Sequence, residues 1–94
     1  MASNGKKIVL VVDDEPDIVD LIRMSLTLAN FDVLTASSGS EALKTLDSKT
    51  ADLVLLDVMM PQMTGFEVCE KIRATPRLKH LPVIILTAKG QKED

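Results

Sequence analysis

The chain has 94 residues, of which 46% are hydrophobic and 27% charged, and its formal net charge is −3. A chain of this length buries one core rather than two, so residues 1–94 are expected to form a single globular domain. The scattered Lys and Arg residues and the scarcity of aromatic residues argue against direct nucleic-acid binding. The apolar runs are too short to span a membrane, no signal peptide is evident, and a single cysteine excludes an internal disulfide. We therefore expect a cytoplasmic protein.

Two strand and helix pairs are predicted in the first half of the chain. Residues 8–12 are an uninterrupted run of β-branched and aliphatic side chains, as in a central strand that is covered on both faces. Pro16 suits the first turn of a helix. Apolar or small residues then recur at helical spacing at Ile18, Leu21, Ile22, Ser25, Leu26 and Ala29. Residues 32–36 predict a second strand, and Ser38, three residues before a Glu, predicts a capping box that opens a helix through Leu46.

The second half of the chain repeats the pattern. Residues 53–56 predict a third strand, which ends at Asp57, and Pro61 prevents simple continuation into a helix, so a shaped loop must follow. Thr64 begins a second capping-box pattern. The buried stripe of the resulting helix, which should end near Thr75, is expected to comprise Phe66, Val68, Cys69 and Ile72. Residues 82–86 predict a fourth strand.

Alternating strands and helices with apolar strands predict an α/β fold, a doubly wound parallel sheet with helices on both faces. This pattern leaves the strand order open. Ligand sites in such sheets lie at the carboxyl ends of the strands, where Asp13, Asp14 and Asp57 are found. Three carboxylates brought together repel one another, and a hard divalent cation such as Mg²⁺ relieves that repulsion. The predicted site is therefore an Mg²⁺-binding acidic pocket in which Asp57 attacks a phosphoryl group.

A simpler interpretation exists for each aspartate taken alone. Asp is common at strand ends and helix caps, so Asp13 or Asp14 by itself could merely cap the first helix. The combination is more specific than its parts. An Asp-Asp pair ends one strand, a further Asp ends another, and Met-Pro and Thr-Gly follow the latter at short distance.

The chain resembles the receiver domain of two-component response regulators. The matching segments are Val11-Val12-Asp13-Asp14-Glu15-Pro16, Leu55-Leu56-Asp57-Val58-Met59-Met60-Pro61 with Thr64-Gly65, and Val83-Ile84-Ile85-Leu86-Thr87-Ala88. The resemblance implies a flavodoxin-like, CheY-like sheet with strand order 2-1-3-4, lacking the family's fifth strand and last helices. It also implies a phosphorelay signalling domain rather than an enzyme in the usual sense.

The same resemblance assigns roles to individual residues. Asp57 matches the aspartate that accepts the phosphoryl group from a phosphohistidine on a sensor histidine kinase. Asp14 matches a direct Mg²⁺ ligand, Asp13 a ligand that acts through water, and Met59 a residue whose backbone carbonyl binds the metal. Thr87 matches the hydroxyl residue that contacts the phosphoryl group in the switched state. A helix N-cap would also explain a Thr there, but the resemblance favours the switch role.

The family continues beyond the fourth strand with a helix, a strand and a last helix, and a lysine near the end of that fifth strand contacts the phosphoryl group. Lys89 matches an exposed loop position instead. We therefore expect phosphorylation, or its coupling to Thr87, to be impaired in a truncated receiver domain. We also expect the fourth strand, residues 83–86, to be a bare sheet edge through which the chain forms a homodimer or is completed by a partner.

Three other functions make specific demands on the sequence. A haloacid-dehalogenase-type phosphatase needs a second Asp two residues after the nucleophile, where this chain has Met59. A nucleotide-binding domain needs a Gly-rich turn after the first strand, and Asp-Asp-Glu-Pro stands there. The remaining alternative is a non-catalytic assembly module. Its adaptable contact surface would include Met24, Met59, Met60 and Met63.

Overall fold

The four apolar runs form one parallel sheet in the order β2-β1-β3-β4, in a computed structural model that describes residues 5–86. The strands are β1 (Ile8–Val12), β2 (Asp32–Ala36), β3 (Leu53–Asp57) and β4 (Val83–Leu86). The helices are α1 (Pro16–Leu28), α2 (Gly39–Ser48) and α3 (Gly65–Ala74), followed by a 3₁₀ turn at Pro76–Leu78. The predicted doubly wound fold and strand order are confirmed. The predictions for Thr87 and Lys89 lie outside the described residues.

The register of the central strand decides which strand ends become neighbours. β1 pairs in parallel with β2 on one side and with β3 on the other, and Val12 lies opposite both Ala36 and Leu56. The N–H of Asp13 donates to the carbonyl of Ala36 at 3.1 Å, which extends the β1–β2 pairing by one residue. The residues that follow Val12 and Leu56, Asp13 and Asp57, therefore emerge side by side at the same edge of the sheet.

The two faces of the sheet are covered unequally. One face packs against α2 and α3, which contribute Ala42, Leu46, Val68 and Ile72 to the buried core. Val9 and Val11 point to the other face and are fully buried, because α1 packs against β1 and β2 there. No residue of α1 itself is fully buried. Within residues 5–86, none of the helices has the length and apolar character needed to cross a bilayer.

The N-terminal caps of α3 and α2 are built differently. The capping box predicted at Thr64 is confirmed, since its side chain accepts from the N–H of Glu67 while Glu67 accepts from the N–H of Thr64. At the start of α2 only half of the box forms. Ser38 accepts from the N–H of Glu41, but the Glu41 carboxylate turns back by one further residue and accepts from the N–H and the hydroxyl of Ser37.

The predicted buried stripes were partly wrong. Phe66 is 63% exposed, because the buried face of α3 runs through Gly65, Val68 and Ile72, three and four residues apart. Phe66 lies one position past Gly65, about 100° around the helix. Leu21 is also 63% exposed, since α1 meets the sheet through its half-buried neighbours. Cys69 packs against the core as expected.

Two helical leucines provide a test of where the stability lies. Leu46 of α2 is 1% exposed, whereas Leu28 at the end of α1 is 87% exposed. Leu46→Ala should lower the free energy of unfolding by about 2–5 kcal/mol, because it leaves a cavity in the core. The matched change Leu28→Ala should alter it by less than about 0.5 kcal/mol. Urea denaturation of both variants measures the difference, and equal losses would contradict the assigned core.

Candidate functional site

Three carboxylates meet where β1 and β3 end. Asp13 and Asp14 directly follow β1, and Asp57 is the last residue of β3. One carboxylate oxygen from each lies within 4.8 Å of the others. Asp13 and Asp57 are 2% and 1% exposed, while Asp14 is more open to solvent. The structure therefore brings together the three aspartates that the sequence placed at strand ends.

Backbone amides hold two of these carboxylates in place. The N–H of Glu15 donates to Oδ1 of Asp13 at 2.9 Å, and the N–H of Met59 donates to Oδ1 of Asp57 at 3.1 Å. In both cases the donor lies two residues after the aspartate, the arrangement of an Asx turn. These bonds form because the chain turns sharply as it leaves each strand. They fix the direction in which the carboxylates point.

The cluster has the electrostatic character of a cation site. Two negative charges within 4.8 Å repel by roughly 3 kcal/mol or more at an effective dielectric constant of about 20. The donor atoms are carboxylate oxygens, with no imidazole or thiol in the cluster among the described residues. Hard cations such as Mg²⁺ prefer oxygen ligands of this kind and are commonly held by one or two carboxylates. The side chains present therefore fit Mg²⁺.

The loop between Asp57 and α3 has a strained turn. The N–H of Met63 donates to the carbonyl of Pro61 at 2.7 Å, and the residue between them, Gln62, has φ of 70°. A γ-turn with a positive φ at a residue other than glycine costs on the order of 1–3 kcal/mol. The sequence indicated a shaped loop after Pro61, but nothing in it identified Gln62 as the strained residue. The strained residue therefore lies in the loop that leads from Asp57 to α3.

A cleft of about 210 Å³ lies beside the acidic cluster, between α1 and the start of α2. Its walls include Asp13, Asp14, Ser37 and Glu41. Ser37 donates to the Glu41 carboxylate through its backbone N–H and through its hydroxyl. These two hydrogen bonds, chiefly the backbone one, hold the pKa of Glu41 below its usual value of 4.5. Sequence reasoning assigned Glu41 to a helix cap and did not connect it with the site. The structure links Glu41 to the site through Ser37. The residue before Ser37, Ala36, accepts through its carbonyl from the N–H of Asp13.

The comparisons with known proteins agree with this geometry. The family model of the response regulator receiver domain matches residues 9–94. The chain belongs to this family. Receiver domains act in two-component phosphorelay signalling, and Mg²⁺ binding at the acidic pocket is the norm among them. The fold and the family predicted from the sequence are thus confirmed.

Individual relatives support the assignment. The alkaline phosphatase synthesis transcriptional regulatory protein PhoP of Bacillus subtilis is 44% identical over 88 residues, which are 94% of this chain and 36% of that protein. The N-terminal domain of a response regulator receiver protein from Methanoculleus marisnigri is 44% identical with a TM-score of 0.84, over 90% of this chain and 69% of that one. Response regulator TrrA from Thermotoga maritima, solved with Mg²⁺-BeF, is 43% identical with a TM-score of 0.82, over 89% of this chain and 71% of that one.

The chain spans about a third of the length of curated relatives such as PhoP. Within the receiver domain, the structure brings Asp13, Asp14 and Asp57 together and puts Met59 immediately beside them, bonded through its N–H to Asp57. The roles of these residues, and of Thr87, stay predictions.

The hydrogen bonds of Glu41 predict a specific pH dependence. The pKa is lower in the folded chain, so the ionised carboxylate contributes stability in full above pH 4.5, and this contribution is lost as the pH falls through the lowered pKa. Glu41→Gln should therefore reduce the urea midpoint at pH 7 and have little effect in more acidic solution. Urea titrations of both proteins at several pH values measure this. A difference that does not shrink as the pH falls below 4.5 would contradict it.

Proposed function

We propose that this chain is the phosphoacceptor receiver domain of a two-component phosphorelay, and that Asp57 takes a phosphoryl group from a phosphohistidine of a sensor histidine kinase. The observation that carries the proposal is the meeting of three carboxylates within 4.8 Å at the ends of β1 and β3. Membership of the receiver family supports it. As the partner of a sensor kinase, the domain is proposed to work in the cytoplasm.

The proposed chemistry is a direct transfer. An oxygen of the Asp57 carboxylate attacks the phosphorus, a new O–P bond forms, and the N–P bond of the phosphohistidine breaks. The electron pair of that bond goes to the imidazole, which remains with the kinase. The hydrogen bond from the N–H of Met59 to Oδ1 orients the carboxylate for this attack. Each transfer consumes one Asp57 carboxylate, so the domain serves as a signalling acceptor rather than as a turnover enzyme.

Mg²⁺ is the proposed cofactor. Asp14, Asp57 and the backbone carbonyl of Met59 would hold it directly, and Asp13 would hold it through water. When bound, the ion neutralises charge on the carboxylates and on the incoming phosphoryl group. The Mg²⁺-BeF complex of the Thermotoga relative supports this choice of metal. For Thr87 we propose the role of the hydroxyl that contacts the phosphoryl group.

The curated relatives carry different outputs. PhoP of Bacillus subtilis is a transcriptional regulatory protein, whereas a relative from Vibrio cholerae, 45% identical over 87 residues, is a probable cyclic di-GMP phosphodiesterase. The chain covers 36% of the former and 19% of the latter. The receiver portion is what these proteins share with the chain. We therefore propose phosphoryl acceptance, and no particular output, as the function of these residues.

A second proposed function is assembly through the sheet edge. Within the described residues β4 is an edge strand, and Ile84 on it is 50% exposed. An apolar edge strand offers unpaired backbone groups and an apolar side chain to another chain. Pairing of two such edges, or completion by a partner, would cover both.

Asp57→Asn tests the first proposal. The parent chain, incubated with Mg²⁺ and acetyl phosphate, should gain one phosphoryl group by intact-mass spectrometry, even if slowly, and the variant should gain none because the nucleophile is lost. Asp47→Asn is the matched control, since Asp47 is a surface residue of α2 paired with Arg77. It should behave like the parent. Uptake by Asp57→Asn equal to that of the parent would refute the assignment of Asp57.

Ile84→Lys tests the second proposal. A charge on the edge strand opposes edge pairing, so the parent should self-associate at micromolar concentrations and the variant should be monomeric. Leu28→Lys is the control, because Leu28 is exposed at the end of α1 and not on the edge strand. It should associate as the parent does. Multi-angle light scattering measures all three, and a monomeric parent across the concentration range would rule out edge-mediated dimerisation.

A further inference from the structure

The first residue of α3 is a glycine whose backbone conformation does not require glycine. Among the described residues, Gly5 is the glycine with a positive φ, and Gly65 is not in that region. Helix propensity favours Ala over Gly by up to about 1 kcal/mol. Conformation alone would therefore accept, and even favour, an alanine at position 65. The reason for glycine must lie in the surroundings.

The surroundings of Gly65 are the backbone of the proposed phosphoacceptor. A Cβ added to Gly65 would lie 2.7 Å from the carbonyl oxygen of Asp57, 2.9 Å from Cα of Val58 and 3.1 Å from the carbonyl carbon of Asp57. Real Cβ atoms essentially never come within 3.0 Å of a heavy atom outside their own residue and its two chain neighbours. All three neighbours are main-chain atoms, so no side chain can rotate away. Either the start of α3 or the Asp57–Val58 peptide would have to move.

The start of α3 is itself held in place. The N–H of Gly65 donates to the carbonyl of Val58 at 3.2 Å, and the Thr64 capping box fixes the first turn of the helix. On the other side, the N–H of Val58 donates to the carbonyl of Leu86 at 3.3 Å. The peptide after Asp57 is thus clamped between β4 and α3. The clamped segment carries the Asp57 carboxylate and leads directly to Met59.

We propose that Gly65 is a positioning residue of the metal and phosphoacceptor site: its missing side chain lets the start of α3 rest on the Asp57–Val58 peptide and so sets where the Asp57 carboxylate and the Met59 carbonyl stand. This inference rests on the proposed function, because it concerns the same site. It adds a residue that touches neither metal nor phosphoryl group. Groups that orient ligands in this way typically contribute roughly tenfold to hundredfold to metal affinity.

Gly65→Ala compared with Gly39→Ala tests the proposal. Gly39 is the first residue of α2, and a Cβ there would also meet an atom at 2.7 Å, but its neighbours are side-chain atoms of Val68 and Met63. Both variants should lose stability through crowding. Gly65→Ala should also weaken Mg²⁺ binding by about tenfold or more, whereas Gly39→Ala should bind close to the parent.

Mg²⁺ is titrated calorimetrically into the full chain, well below each variant's melting temperature, so that the folded protein is measured. The amide NMR signals of Asp14, Asp57 and Met59, followed in the same titration, report the site directly. Binding by Gly65→Ala equal to the parent, or equal weakening in both variants, would overturn the proposal. A parent chain that binds no Mg²⁺ would overturn the proposed cofactor first, and this inference with it.

A milder pair of variants decides the question if Gly65→Ala does not fold. Thr64→Ala removes the cap that holds the start of α3, and Ser38→Ala removes the corresponding cap of α2. Each should cost on the order of 1 kcal/mol of stability. Thr64→Ala should show a measurable loss of Mg²⁺ affinity and Ser38→Ala none. Equal affinities in the two cap variants would refute the positioning role.

Discussion

The pairing of β1 with β3 is the constraint on which the rest of this structure depends. Parallel strands in this register end at the same edge of the sheet, with Val12 opposite Leu56. The next residues are the acidic ones, so carboxylates that are more than forty positions apart in the chain come within 4.8 Å. The hydrophobic burial of the two strands supplies the free energy that holds these like charges together. The acidic pocket is thus a consequence of how the core is built.

Short-range hydrogen bonds then give the pocket its shape. The N–H groups of Glu15 and Met59 each reach back to the aspartate two residues earlier. The loop after β3 turns through the strained Gln62 and ends at the capping box of α3, whose first residue lies against the peptide that follows Asp57. Strain at such a position persists because the surrounding structure determines it. The elements on either side of the loop, β3 and α3, both contribute fully buried side chains to the core.

The unequal cover of the two faces concentrates the core on one side of the sheet. The α2 and α3 face is closed by fully buried side chains, including Leu46 and Ile72. The α1 face buries Val9 and Val11, yet α1 contributes no fully buried residue, and its Leu21, Met24 and Leu28 are exposed. Apolar side chains in such positions add little to the stability of the described chain.

The order of elements and the candidate carboxylates were predictable from the sequence, because strands buried on both faces read as apolar runs and caps have short local signatures. This explains why β1, β2 and the Thr64 capping box were placed correctly. The aspartates could be identified because polar residues that interrupt such runs lie at strand ends. The strand order 2-1-3-4 came from the family resemblance, since periodicity carries no information about which strands pair.

The remaining features could be read only from the structure. Phe66 fits a helical apolar stripe but is exposed, since the buried face of α3 runs through Gly65, Val68 and Ile72 instead. Glu41 bonds to Ser37 rather than completing a capping box, because the chain between β2 and α2 brings Ser37 within reach. The sequence by itself determined which residues carry charge at the strand ends. How closely those charges approach depended on the pairing of β1 with β3, because these strands lie far apart in the chain and only their register brings the carboxylates within 4.8 Å.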